Sequence, residues 1–257
     1  MTSSSIHEFL TYILDLEGNP YHCIPTPAVL GYGAFGYVVK ANLVHSENDF
    51  TPRPDSPHAI KFLNCVYDDT RMAKLATLLK LDCEDIVKYM AVGYSHRPGS
   101  PTERLNSCII MELCEGKTLE HFIQRNTPSL PVATILNYTG QILKALDYLH
   151  NRVCSHKDAM FYGDLKPENI LLKNEDGHGL LKLADLDSFT QLSGQRTHHD
   201  LTTRKGTYRF MSPEMTAWNP KTKLPEYSLL IFASGLTERI TVFPREQTPV
   251  TNMTPLG

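Results

Sequence analysis

"YGDLKPENILL", residues 162–172, sets an acid, a base, a proline and an amide directly ahead of an apolar run. Asp164, Lys166 and Asn169 are polar residues two and three positions apart, and Ile170, Leu171 and Leu172 follow at once. Polar triplets are common in proteins, so the meaning of this one depends on its flanks.

Far upstream, "LGYGAFGYVVKA" supplies Gly31, Gly33 and Gly36. A G-x-G-x-x-G run is either a glycine-punctuated β-turn or a phosphate site. A dinucleotide fold would begin a helix after the glycines, with its N-terminus facing a pyrophosphate. Here the β-branched "YVVKANLV" follows, so a strand–turn–strand clasp fits better. Without side chains, its backbone amides can approach anionic oxygens closely. Lys61 comes next, in "HAIKF". A lone strand lysine is usually a solvated edge charge, but one downstream of such a clasp can hold phosphate oxygens as a point charge.

The chain has 257 residues, 41% hydrophobic and 21% charged, which is enough apolar material for a globular core. A net charge of -3 gives no electrostatic reason to expect a nucleic-acid partner. Cys23, Cys65, Cys83, Cys108, Cys114 and Cys154 show no metal-ligand spacing and read as reduced thiols. "MTSSSIHEFL" lacks the character of a signal peptide, and the run "LLIFA" is too short to cross a bilayer. A soluble, cytoplasmic chain with no membrane contact is the expectation; its oligomeric state is not legible.

Apolar residues Ile6, Phe9, Leu10, Ile13 and Leu14 recur at helical spacing after Ser5, predicting a helix that Gly18-Asn19-Pro20 ends. Residues 28–44 read as a hairpin and "HSENDFTPRPDSPH" as a polar loop. "HAIKFL", "IVKYMAVGYS" and "NSCIIMEL" read as strands, with "RMAKLATLLKL" as a helix. Two helices follow, "KTLEHFIQR" and "PVATILNYTGQILKALDYLH", the latter with Leu136, Ile142, Leu146 and Leu149 near one face. A strand-rich front and a helix-rich back suggest two lobes.

Taken together with "ADLD" at 184–187 and "GTYRFMSPE" at 206–214, these motifs resemble a eukaryotic protein kinase domain of the serine/threonine type. The resemblance covers residues 25 to 215 in the family's order. It implies an α+β, two-lobed fold with an antiparallel-sheet N-lobe (25–113) and a mostly helical, incomplete C-lobe (114–236). Residues 1–24 would then be an N-terminal helical extension and 237–257 a flexible tail.

By the same resemblance the chain would transfer the γ-phosphoryl group of Mg-ATP to serine or threonine hydroxyls on a protein substrate. Asp164 would be the catalytic base and Lys166 the cation that steadies the transferring phosphate. Asn169 and Asp185 would bind Mg²⁺. Gly31, Gly33, Gly36 and Lys61 would face the phosphates and Leu171 the adenine, with Val38 and Ala59 also binding ATP. Backbone groups of Glu112 and Cys114 would read the base beside a bulky Met111. Thr207 would belong to the substrate-facing end of the activation segment. Thr202 and Thr203 are conceivable phosphorylation sites there, although an ordinary exposed loop is the favoured reading.

Several positions depart from the family's pattern. Tyr162-Gly163 stands where His-Arg is usual, and Asp185-Leu186-Asp187 where Asp-Phe-Gly is usual. The helix glutamate that should pair with Lys61 falls on Lys74, a charge of the wrong sign, which repulsion should push away from Lys61. Asp68 and Asp69 lie more than a turn upstream. "NRVCSHKDAMF" is longer than the family's turn before the catalytic loop. His198-His199-Asp200 reads as a solvated stretch, not a metal site. Beyond the "SPE" segment the expected helical pattern fades, with Leu230 where an anchoring aspartate is expected. The second hypothesis is therefore a catalytically impaired, kinase-like module that binds nucleotide or acts as a scaffold.

Overall fold

A computed structural model describes residues 11–46, 49–97, 100–126, 130–152, 158–174, 179–193 and 207–210. The expected flexible tail, Thr202, Thr203, His198-His199-Asp200 and Leu230 lie outside the described residues.

The front half is a seven-stranded antiparallel sheet in the order β2-β1-β6-β7-β5-β3-β4. Its strands are β1 (Thr11–Asp15), β2 (Pro20–Gly33), β3 (Gly36–Ser46), β4 (Asp49–Pro52), β5 (His58–Leu63), β6 (Tyr89–Arg97) and β7 (Ser100–Glu112). Strand β2 pairs with β3 as well as β1, so six of the strands close into a ring. Each of the six contributes a buried side chain to one cluster: Ile13, Cys23, Leu43, Ile60, Ala91 and Ile110. Each of those six has a neighbour on both sides along part of its length, while short β4 flanks β3.

Two sequence expectations change here. Ile13 and Leu14 belong to a strand, not a helix; residues 1–10 lie outside the described residues. A period that suits a helix lost to pairing on both sides: Leu14 lies opposite Pro20 of β2 and Tyr94 of β6. Gly18-Asn19-Pro20 makes the β1–β2 turn, where the Asp15 carboxylate accepts from the backbone of Glu17 and Asn19. The loop expected after residue 44 contains β4.

Helix α1 (Asp69–Ala76) begins where the Asp68 side chain accepts from the Arg71 amide, an N-cap, and passes into a 3-10 turn at Thr77–Lys80. The back half carries α2 (Leu119–Arg125) and α3 (Val132–Asp147), each where its pattern predicts. On α3 the buried face is Ile135, Tyr138, Ile142, Ala145 and Leu146, whereas Leu136 is 67% exposed, so the expected stripe is shifted by one residue at its start. Counted from Ile135, steps of three and four residues reach Tyr138, Ile142 and Ala145, which keeps one side of the helix turned inward along its length.

Short strands β8 (Asp158–Phe161), β9 (Ile170–Leu172), β10 (Leu181–Leu183) and β11 (Thr190–Ser193) form two antiparallel pairs, β9 with β10 and β8 with β11. A second buried cluster runs without a break from Met72 and Leu75 on α1, through Tyr89, to Ile142 on α3 and Leu172 on β9. It joins the sheet half to the helical half and floors the region between them.

Candidate active site

The loop of Asp164 is held from below. Ile170 and Leu172 are buried on β9, which fixes the loop that precedes them. Pro167–Asn169 make one 3-10 turn, begun by a proline whose fixed φ suits a first helical position. Within this frame Lys166 Nζ donates to Asp164 Oδ2 at 2.8 Å and to Thr207 Oγ1 at 3.0 Å. The Thr207 amide and hydroxyl both reach Asp164 Oδ1. Asn169 Nδ2 donates to the Asp164 carbonyl at 2.9 Å and approaches its carboxylate at 3.2 Å. An amide nitrogen turned toward Asp164 leaves the Asn169 amide oxygen as the acceptor end of the group.

Tyr162 occupies the departure from His-Arg, and the sequence offered no role for it. Its side chain is buried, and its hydroxyl accepts from Asn169 Nδ2 at 2.8 Å and donates to the Ala184 carbonyl at 3.0 Å. Burial pushes the phenol well above its ordinary pKa, so it stays a donor. In return the Ala184 amide donates to the Asn169 carbonyl at 2.9 Å. The loop of Asp164 and the segment of Asp185 are thereby tied at two points. The only clue in the sequence was a large polar side chain immediately before a catalytic-type loop.

Asp185 sits in the left-handed region at φ 59°, uncommon for a residue with a Cβ, and starts a 3-10 turn over Leu186–Ser188. Leu186 is buried, and its amide donates to the Tyr89 hydroxyl at 3.1 Å. Lys61, on β5, is ion-paired to both Asp185 and Asp187, the latter at 3.0 Å. Asp185 keeps 36% side-chain exposure and Asp187 only 5%. Burial works against the Lys61 charge, but the two carboxylates outweigh it and its pKa stands above the ordinary lysine value. Burial likewise opposes ionisation of Asp185, yet Lys61 holds it below the usual carboxylate range. Asp187 is pushed up to about 6 by burial, which Lys61 only partly offsets beside the second carboxylate.

One rung of the sheet carries Gly31, Val38 and Lys61 in register, so the glycine clasp and the lysine are neighbours across β3. A Cβ built on Gly31 would meet nothing within 4 Å, and one on Gly33 only the Gly36 carbonyl at 3.8 Å. Packing does not require glycine at either position. At Gly36 it does: a Cβ there would collide with the Phe62 carbonyl oxygen. Val38, Cys114 and Leu171 are partly buried and pack against the same core as buried Ala59 and Met111. The Glu112 amide donates to the Lys88 carbonyl at 2.9 Å. Its carboxylate lies 2.7 Å from Lys182 Nζ and also pairs with Lys173.

Lys74 stands on α1, as the count from the sequence predicts, and its ammonium turns to the loop rather than to Lys61. It donates to the Phe189 carbonyl and lies 4.7 Å from the centre of the Phe189 ring. Asp68 caps α1 and Asp69 opens it, so neither supplies the missing pair.

These groups fit Mg²⁺ and a nucleoside triphosphate. The open space over Gly31 and Gly33 admits phosphate oxygens, Lys61 offers a cation, and Asp185 and Asn169 are hard oxygen donors. Among the described residues no three His, Cys, Asp or Glu side chains gather into a metal cage. A magnesium ion bound with phosphates needs only one or two protein ligands.

A family model for the protein kinase domain matches residues 26–253. The chain belongs to the protein kinase family. It is 28% identical over 196 residues to the serine/threonine-protein kinase VIK of Arabidopsis thaliana, covering 73% of this chain and 39% of that one. Over 141 residues it is 38% identical to the human serine/threonine-protein kinase Nek11, covering 53% of this chain and 19% of the other. A third relative, the serine/threonine-protein kinase pakG of Dictyostelium discoideum, is 29% identical over 211 residues, covering 82% and 16% respectively. The chain thus spans under half the length of these curated relatives.

Proposed function

We propose that this chain is an ATP-dependent protein serine/threonine kinase. The observation that carries the reading is the 2.8 Å contact of Lys166 with Asp164, tied through Tyr162 and Asn169 to the Asp185 segment that faces Lys61. Base, charge-neutralising lysine, metal donors and phosphate lysine then belong to one connected frame. Phosphoryl transfer needs little beyond such positioning and charge neutralisation.

Asp164 would accept the proton of a serine or threonine hydroxyl as that oxygen bonds to the γ-phosphorus and the bond to the β–γ bridging oxygen breaks. Lys166 would neutralise charge on the transferring group. Asn169 and Asp185 would hold Mg²⁺, whose contribution is to offset the phosphates' negative charge. Lys61 and the amides of Gly31, Gly33 and Gly36 would bind phosphate oxygens, while Val38, Ala59 and Leu171 would enclose adenine next to the backbone of Glu112 and Cys114. A protein substrate is the implied partner. The described cysteines are all free thiols, which supports action in a reducing, cytoplasmic compartment.

The test is transfer of labelled γ-phosphate to a mixed protein substrate with Mg²⁺, followed by phosphoamino-acid analysis. Label on serine and threonine is expected, with Asp164→Asn slower by about 10²- to 10⁴-fold. The alternative, a nucleotide-binding scaffold, is favoured by the cation at position 74. Saturable ATP binding with no label in wild type or variant would establish it.

A further inference from the structure

Two departures from the family pattern, Lys74 and Asp187, each look damaging when read alone. Three observations connect them. The Asp187 carboxylate is almost fully buried and lies 3.0 Å from the Lys61 ammonium. Asp185, by contrast, keeps a third of its side chain exposed. Lys74, at the helix position where a carboxylate is expected, holds the Phe189 carbonyl and ring two residues beyond Asp187. The helix thus reaches the loop through Lys74 and Phe189, while the buried carboxylate beside Lys61 comes from the loop.

We propose that Asp187 is the positioning carboxylate for Lys61, and that Lys74 fastens the loop carrying it. The ion pair has moved from helix α1 to the loop, so the cation on α1 supports the lysine of β5 indirectly. A carboxylate so buried behind Lys61 is placed to orient the ammonium, whereas Asp185 retains the exposure a metal ligand needs. In this arrangement glycine at 187 would remove a working group. The inference rests on the reading of Lys61 as the phosphate-binding lysine.

The experiment compares wild type, Asp187→Gly, Lys74→Glu and the double variant, which returns the carboxylate to the helix. Steady-state kcat and KM for ATP, ATP affinity by calorimetry and the Mg²⁺ requirement are measured for each. Asp187→Gly should lower kcat/KM for ATP by about tenfold to a hundredfold, the scale of one charge-assisted hydrogen bond. The double variant should recover to within a few fold of wild type, and the Mg²⁺ requirement should stay unchanged. A double variant no better than the product of its single losses would overturn the proposal. So would an Asp187→Gly defect that excess Mg²⁺ alone repairs, since Asp187 would then be a metal ligand.

Asp187→Asn, which keeps the shape, serves if Asp187→Gly lacks a cooperative melt. If wild type binds ATP but transfers no phosphate, the kinase reading fails while the pattern of loss and rescue is read from ATP affinity. If wild type binds no ATP, both fail.

Discussion

Thr207 places its backbone amide and its hydroxyl on the same oxygen of Asp164, each at 2.8 Å. The hydroxyl also accepts from Lys166, so acid, base and threonine form a closed triangle. Removing the hydroxyl leaves the carboxylate with one donor fewer and lets Lys166 swing. Thr207→Ala should lower kcat by about tenfold with little change in KM for ATP, and Thr207→Ser should retain most of the rate. Equal kcat in Thr207→Ala and wild type would remove Thr207 from the site.

Lys61 also contributes to stability. Lys61→Met leaves the buried Asp187 carboxylate without its cation, a loss of roughly 1–3 kcal/mol. For a domain of this size that is a fall in Tm of several degrees, at about 2–4 °C per kcal/mol. Adding Asp187→Asn to Lys61→Met should restore part of the melting temperature without restoring ATP binding. Calorimetric melts of the single and double variants check this; an additional loss in the double variant contradicts it.

The three glycines of the clasp should separate into two kinds. Gly36→Ala forces a Cβ against the Phe62 carbonyl and should lower Tm by several degrees. Gly31→Ala meets open space, so its Tm should stay within about 1 °C of wild type, the range of an unencumbered surface change. Its KM for ATP should nevertheless rise, because the added methyl occupies room that phosphate oxygens need. A Gly31→Ala protein with unchanged KM would argue against phosphate in that space.

Glu112 gives a pH dependence whose sign is fixed. Burial favours its neutral form, but hydrogen bonds from Lys173 and Lys182 outweigh burial and hold its pKa below the ordinary 4.5. A carboxylate depressed on folding contributes stability that is fully present above pH 4.5 and disappears as pH falls through the folded value. Denaturation midpoints should therefore drop below pH 4.5 in wild type, and Glu112→Gln should show a flatter acid limb and a lower plateau at neutral pH. An identical acid limb in the two proteins would place the network's contribution elsewhere.

Much of this was legible from residue order alone, because the motifs are local and their supports are too. Asp164, Lys166 and Asn169 share one turn, and the apolar residues that seat them come next in sequence. Strand β1 was not legible. Ile13 and Leu14 have spacing that suits a helix, and the decisive evidence lies far along the chain: a Cβ on Gly93 would strike the Leu14 carbonyl, so β6 must carry glycine where β1 crosses it. The start of α3 was misread for a similar reason, since which of Ile135 and Leu136 faces inward depends on the packing partner. Lys74 and Asp187 appeared as two separate faults because their connection runs through Phe189 and Lys61, and no one-dimensional spacing joins those four residues. Tyr162 was opaque because a hydroxyl bridging Asn169 and Ala184 exists only after β9 and β10 have paired.

The doubly paired strand β2 has a mechanical consequence. Its first residues are clamped between β1 and β3, whereas its register with β3 shifts between Pro25 and Val29 and again before Gly31. Those irregularities interrupt the β2–β3 ladder between its root and the glycine tip. Beyond both interruptions the ladder resumes at Gly31, which Val38 joins directly to Lys61 on β5, so the tip is aligned with the lysine through β3 rather than through its own root.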